Sequence, residues 1–290
     1  MIYLLGSIVL TSWLTLSFKV AEKFQLNPLQ VIAFNYFFSV VTGSAVNGHI
    51  NDYAKDIRLD WFPWACLMGT VFIVLFNIIA FTTQHVGVAV TSVANKLSLV
   101  IPFLFSIYLY DEKATWLKVL GIIVALVAVV LTSMRSATQG PHRRNAWLYL
   151  MPVFLFLGSG LLDTMIKYVE HQFLNADNVN EYLISAFSMA ALLGIISVTI
   201  QFLSGKGKFT WKAVAMGACI GIPNYFSIWC LMEVLKRYAN NSSAIIPINN
   251  MGIVLFSAVV AWFAFKEKLS LLNWIGIILS LGAIALIAFG

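Results

Sequence analysis

The chain has 290 residues, of which 60% are hydrophobic types and only 10% are charged. A soluble domain usually carries about 25% charged residues and roughly 45–50% apolar ones. With 18 basic and 12 acidic side chains a fold of this size cannot cover its surface for water, so the composition excludes a soluble enzyme, a disordered chain and a disulfide scaffold.

In chain order, ten stretches are apolar enough for about 20 residues of membrane crossing. They are Ile2–Lys19, Leu29–Asn47, Trp61–Thr83, Val86–Tyr110, Thr115–Met134, Trp147–Val169, Tyr182–Leu203, Trp211–Leu235, Ser242–Phe265 and Leu271–Phe289. The connectors read as loops: Asn47–Asp60 holds five charges, Arg135–Asn145 holds three arginines around Gly140-Pro141, and Ser204–Lys208 is Gly/Lys-rich. The very short Thr83–His85 turn makes spans three and four an antiparallel hairpin. The first span lacks a basic leader and a cleavage site, so it reads as a span and not as a signal peptide. Trp61, Trp64, Trp116, Trp147, Trp211, Trp262 and Trp274 fall at span ends, where an aromatic belt is expected. Cys66, Cys219 and Cys230 lie inside spans and read as buried apolar residues. The net charge of +6 is scattered singly and argues against nucleic acid as a partner. Loop lysines and arginines lean towards a non-cytoplasmic N-terminus.

The two halves resemble each other. At one constant offset, Asp111-Glu112-Lys113 with Gly121 matches Lys266-Glu267-Lys268 with Gly276, and Asn95 falls on Asn250. Phe18-Lys19-Val20-Ala21-Glu22 resembles Ile166-Lys167-Tyr168-Val169-Glu170; Trp61 pairs with Trp211, Met68-Gly69 with Met216-Gly217, and Asn77 with Asn224 across one gap. Spans one to five (residues 1–140) therefore repeat as spans six to ten (141–290). Five is odd, so the second copy enters the bilayer from the other side. The fold class expected is an all-α membrane protein of ten helices in two inverted five-helix repeats, the architecture in which transporters place substrate between repeats.

Pro102 ten residues before Glu112, Gly121 beyond it, and Glu267-Lys268 followed by Trp274-x-Gly276 and Gly282 carry a further likeness, as do Lys19 and Lys167 at the ends of the first span of each half. On these residues, over its whole length, the chain resembles the EamA-type branch of the drug/metabolite transporter superfamily. The resemblance implies a secondary transporter of small metabolites, commonly an exporter, with a central cavity. Asn35 stands where an arginine is often seen in the family's second span, and Ser257 stands at the counterpart of Pro102.

An ionisable group at the bilayer centre costs about 2.5–3.5 kcal/mol, so those within spans are candidate sites. Lys96 and Asp163 lie deepest. Lys167, four residues after Asp163, shares its helix face. Asp163 is read as holding a cationic substrate group or a coupling proton, tuned by Lys96 or Lys167; a structural ion pair is the alternative. Lys19 and Lys167 also fit snorkelling at span ends. Asn35, Asn77, Asn95, Asn224, Asn249 and Asn250 offer donors and acceptors for a polar metabolite, or bond one helix to another. Pro223 and Pro247 precede asparagines and free backbone carbonyls, either for a ligand or as static kinks. The four histidines avoid mid-span positions, no phosphate-binding loop occurs, and neither enzyme activity nor a metal nor a cofactor is expected.

The expectation is a multi-pass protein of the bacterial inner membrane, monomeric or weakly dimeric. It would export small polar metabolites such as amino acids by alternating access. The alternatives are an exchanger of sugar phosphates or nucleotide-linked sugars, favoured if Lys19, Lys96 and Lys167 share a cavity, and, from another class, a passive channel or a membrane scaffold.

Overall fold

A computed structural model describes residues 2–110, 115–133, 146–175, 178–205, 207–237 and 242–289. Among these residues every regular element is a helix. The helices are α1 (Ile2–Lys23), α2 (Pro28–Asn47), α3 (Tyr53–Asp56), α4 (Phe62–His85), α5 (Val88–Leu97), α6 (Val100–Tyr110), α7 (Trp116–Ser133), α8 (Ala146–Phe173), α9 (Val179–Leu203), α10 (Trp211–Arg237), α11 (Ser242–Ala264) and α12 (Leu271–Phe289). Asp111-Glu112-Lys113, the Arg135–Asn145 connector and Lys206 lie outside the described residues, as do the side chains of Trp147 and Lys167.

Six segments among the described residues are long and apolar enough to cross a bilayer: Ile2–Lys23, Pro28–Asn47, Phe62–His85, Val88–Phe105, Val179–Leu203 and Trp211–Leu231. Four shorter apolar helices accompany them: Trp116–Thr132, Leu150–Ile166, Ile248–Ala264 and Leu271–Ile287. Two details differ from the loops and spans read in the sequence. The connector after α2 folds into the one-turn helix α3, started by the Asp52 side chain accepting from Lys55 N. The fourth span is not one helix: it breaks at Ser98–Leu99 into α5 and α6.

Pro102 explains the break. It has no N–H to give to the Ser98 carbonyl one turn back, and its ring crowds that carbonyl. Ser98 O instead accepts from Ile101 N at 2.9 Å. One repeat offset away the residue is Ser257, which keeps its N–H, and α11 runs unbroken past it.

The described chain forms two compact units. Unit 1 comprises Met1–Lys19, Ile78–Asp163 and Ser227–Gly290; unit 2 comprises Val20–Asn77 and Thr164–Phe226. Each unit takes segments from both sides of residue 140.

In unit 1, α7 packs on α12 and α5 on α11. Both are pairs of repeat-equivalent helices. The α7–α12 approach is close because both carry glycine at equivalent positions. A Cβ at Gly121 would meet Ile287 Cγ1 at 2.8 Å, and one at Gly276 would meet Thr132 Cγ2 at 2.7 Å. Asn273 Nδ2 donates to Thr132 O over 2.8 Å. Asn273 and Ser270 exchange side-chain-to-backbone bonds, a capping box that starts α12. The core here holds Val93, Leu97, Val100, Ala125, Ala128, Val254, Ala258, Ala283 and Ile284.

In unit 2, α2 packs on α9, again a repeat-equivalent pair. Asn27 caps α2, accepting from Leu29 N at 3.0 Å, Pro28 takes the first helical position, and Gly48 ends the helix at φ +80°. Gly69 of α4 lies against Ala186 O and Met189 Cβ of α9; its counterpart Gly217 of α10 lies against Phe34 and Asn35 of α2. Tyr36 is fully buried among Phe72, Phe76 and Phe187. Trp61 is not an interface residue: it is 3% exposed, edge-on to Tyr182 at 6.0 Å. Trp116, Trp211 and Trp262 are exposed, as a belt residue would be.

Candidate functional site

The ionisable candidates meet in unit 1. Lys96 sits in the last turn of α5, half-buried, and Asp163 sits well inside α8 with an exposed side chain. Ser98, the first residue of the α5–α6 break, donates its hydroxyl to Asn95 O at 2.5 Å and lies 3.3 Å from Asp163 Oδ2. A cation, a carboxylate, a hydroxyl and an interrupted helix thus adjoin in the apolar body of the chain. Irregular backbone at that depth is tolerated where it is buried in protein or lines a cavity.

Asn95 and Asn250 are half-buried, on α5 and α11. Asn249 is buried, and its Oδ1 accepts no hydrogen bond among the described residues. Lys19 is engaged elsewhere: its Nζ donates to Gln84 O at the end of α4 over 3.1 Å, and Gln84 Nε2 donates back to Phe18 O at 3.3 Å.

The other asparagines lie in unit 2. Asn224 Nδ2 donates to Asn35 Oδ1 at 3.3 Å. Both residues are buried, and Asn35 Nδ2 finds no acceptor among the described residues. Ser39 Oγ donates to Asn35 O at 2.9 Å and lies 3.1 Å from Gly221 O. Asn77 turns to its own helix and donates to Ile73 O at 2.7 Å. Helix α10 runs through Pro223 without a break. The candidates therefore fall into two clusters, Lys96/Ser98/Asp163 and Asn35/Ser39/Asn224. Ser98 and Ser39 were not singled out from the sequence; Ser98 was open to detection, since it lies four residues before Pro102 and loses its helical donor there.

Outside the spans, Asp56 of α3 is buried and its Oδ2 accepts no hydrogen bond among the described residues. Burial pushes its carboxyl above the usual range; Glu181 and Asp52 add to this, against Lys55 and Asn51. Asn51 holds the same loop to α9, donating to Glu181 O at 2.8 Å and Ser185 Oγ at 3.1 Å.

Residues 1–134 match the EamA-like transporter family. That family belongs to the drug/metabolite transporter superfamily. That match, over the first 134 residues, and the apolar helices make the chain an integral, multi-pass membrane protein whose first half is similar to transporters of this type. An uncharacterized protein of Haemophilus influenzae is 25% identical over 272 residues, covering 92% of this chain and 90% of its own. A protein of known crystal structure shares the fold, with a TM-score of 0.61, over 99% of this chain and 96% of its own at 15% identity. The EamA match covers α1 to α7, and so includes Asn35, Asn77, Asn95 and Lys96.

Proposed function

We propose that the protein is a secondary active transporter that exports small polar metabolites such as amino acids, by alternating access of two inverted five-helix repeats. The observation that carries this reading is the approach of Asp163, from the second half of the chain, to Ser98 at the broken α5–α6 helix, two residues after Lys96, from the first half. A zwitterion presents one group of each sign, and Asp163 and Lys96 offer one partner of each sign. Discontinuous helices and opposed repeats are the elements from which transporters build their sites. The matching contacts of repeat-equivalent helices, α7 with α12 and α2 with α9, support the duplicated architecture. The six long and four shorter apolar helices are compatible with ten spans. A bacterial inner membrane is the proposed location.

The exchange of anionic sugar phosphates would draw on several lysines in one place. Lys19 spends one of its donors on Gln84 O, at the end of α4. Asp163, at the α5–α6 break, disfavours an anion.

Purified protein in liposomes, given labelled L-serine or labelled glucose 6-phosphate under an imposed pH gradient, tests the reading. Saturable serine flux that follows the gradient is the expected result. Flux of the sugar phosphate alone would overturn it. Flux that does not saturate would indicate a channel, and no flux of any labelled metabolite a scaffold.

A further inference from the structure

Helix α5 carries Asn95 and Lys96 and ends at Ser98, yet it is only ten residues long. A helix this short is marginal by itself, so what holds its ends fixes where it lies. At its C-terminal end Ser98 closes on Asn95 O at 2.5 Å and lies 3.3 Å from Asp163 Oδ2. Its N-terminal end is held by Glu267, from the connector between α11 and α12: Val88 N donates to Glu267 Oε1 at 2.9 Å. Val88 is the first helical residue, and its N–H is one of the four that an α-helix leaves without an internal partner. The carboxylate also meets the positive end of the helix dipole.

Gly87 makes room for this contact. It adopts φ +130°, and a Cβ there would stand 3.2 Å from Glu267 Oε2. The turn that starts α5 is therefore shaped to receive an acidic side chain from the far end of the sequence. Thr91 Oγ1, donating to Gly87 O at 2.7 Å, stiffens the same turn.

We propose that Glu267 is a positioning residue for the charged site. Its carboxylate clamps the start of α5, and α5, about 15 Å long at 1.5 Å per residue, transmits that position to Lys96 in its last turn. Glu267 touches no proposed substrate; it acts through the helix. The inference rests on the transporter reading for its consequence, but the clamp itself can be measured without a substrate. Glu112, the repeat equivalent of Glu267, lies outside the described residues.

The experiment uses the full chain with Glu267→Ala and Glu267→Gln, the latter keeping an acceptor while dropping the charge. Hydrogen–deuterium exchange is read by mass spectrometry over residues 88–97. Local opening shows as lost protection confined to the freed element, and Glu267→Ala should raise exchange there by about tenfold. Glu267→Gln should lie between it and wild type, and α7 and α12 should be unchanged. In liposomes, the Ala variant should raise the KM for labelled L-serine by about tenfold, with kcat within about twofold, and Gln should largely restore it. Unchanged exchange at 88–97, or exchange that rises equally across α7, α11 and α12, would overturn the clamp. So would a fall in transport capacity at constant KM, the mark of a purely structural loss. If wild-type protein moves no serine, the parent reading fails, and the exchange experiment decides the clamp alone.

Discussion

Ser98 Oγ stands 3.3 Å from Asp163 Oδ2, where the break between α5 and α6 meets the body of α8. Lys96 lies two residues earlier, in the last turn of α5. Removing one charge of such a pair leaves the other uncompensated; for a fully buried pair that costs roughly 3–5 kcal/mol, and less here because Asp163 is exposed. Asp163→Asn is expected to abolish gradient-driven serine flux while the protein still expresses and elutes as wild type. Lys96→Met should also abolish flux, and should lower Tm more than Asp163→Asn does. In the double variant the stability loss should be smaller than the sum of the single losses, because the pair is coupled. Thermal unfolding in detergent and liposome flux on all four proteins check this; additive stability losses would show that the two residues do not act as a pair.

Pro102→Ser copies the residue that the second half carries at position 257. The new N–H can bond to Ser98 O and extend α5 through the break. Stability should rise, by about 2 °C in Tm or more, while serine flux falls about tenfold because Ser98 and Leu99 are drawn into a regular helix. Unaltered flux with a raised Tm would mean that the interruption has no part in transport.

Gly221 and Gly282 are both helical, but their surroundings differ. A Cβ at Gly221 would run into Asn35 O and stand 2.9 Å from Phe38 Cβ, whereas at Gly282 nothing lies within 4 Å. Gly221→Ala should cost about 1–3 kcal/mol by overpacking the α2–α10 contact. Gly282→Ala should be neutral or stabilising by up to about 1 kcal/mol, the difference in helix preference. Urea or thermal unfolding of the two variants distinguishes them.

The apolar runs were legible because a bilayer demands long ones, and the likeness of the two halves rests on Glu112/Glu267, Gly121/Gly276 and Asn95/Asn250, which share one offset. The break in the fourth span was not, since Val86–Tyr110 is apolar throughout. Pro102 alone did not announce it, for α10 tolerates Pro223. What differs at Pro102 is that Ser98 O takes Ile101 N as its donor. The asparagines were the least readable. Their composition says polar and in the membrane, but Asn224 reaches Asn35 across 189 positions of sequence while Asn77 bonds one turn back along its own helix. Spacing in the chain carries no trace of that choice. Trp61 likewise lies at a span end yet packs inward on Tyr182.

Asp56 offers a pH dependence whose sign follows from its surroundings. It is buried, Glu181 and Asp52 stand near, and Lys55 and Asn51 only partly compensate, so its folded carboxyl holds its proton more tightly than an unfolded one. Stability from this group is therefore fully present below the unfolded value of about 3.9 and is lost as pH rises through the folded value. Asp56→Asn carries no such titration. The difference in Tm between variant and wild type should be small near pH 4 and should grow in favour of the variant towards pH 8, reaching about 2 °C or more. Glu181→Gln should narrow the gap by removing the largest like charge beside Asp56. Thermal scans across that range measure the effect, and the fluorescence of Trp61, edge-on to Tyr182 beside Glu181, gives a local signal. A gap that is constant with pH would show that Asp56 does not titrate between the folded and unfolded states.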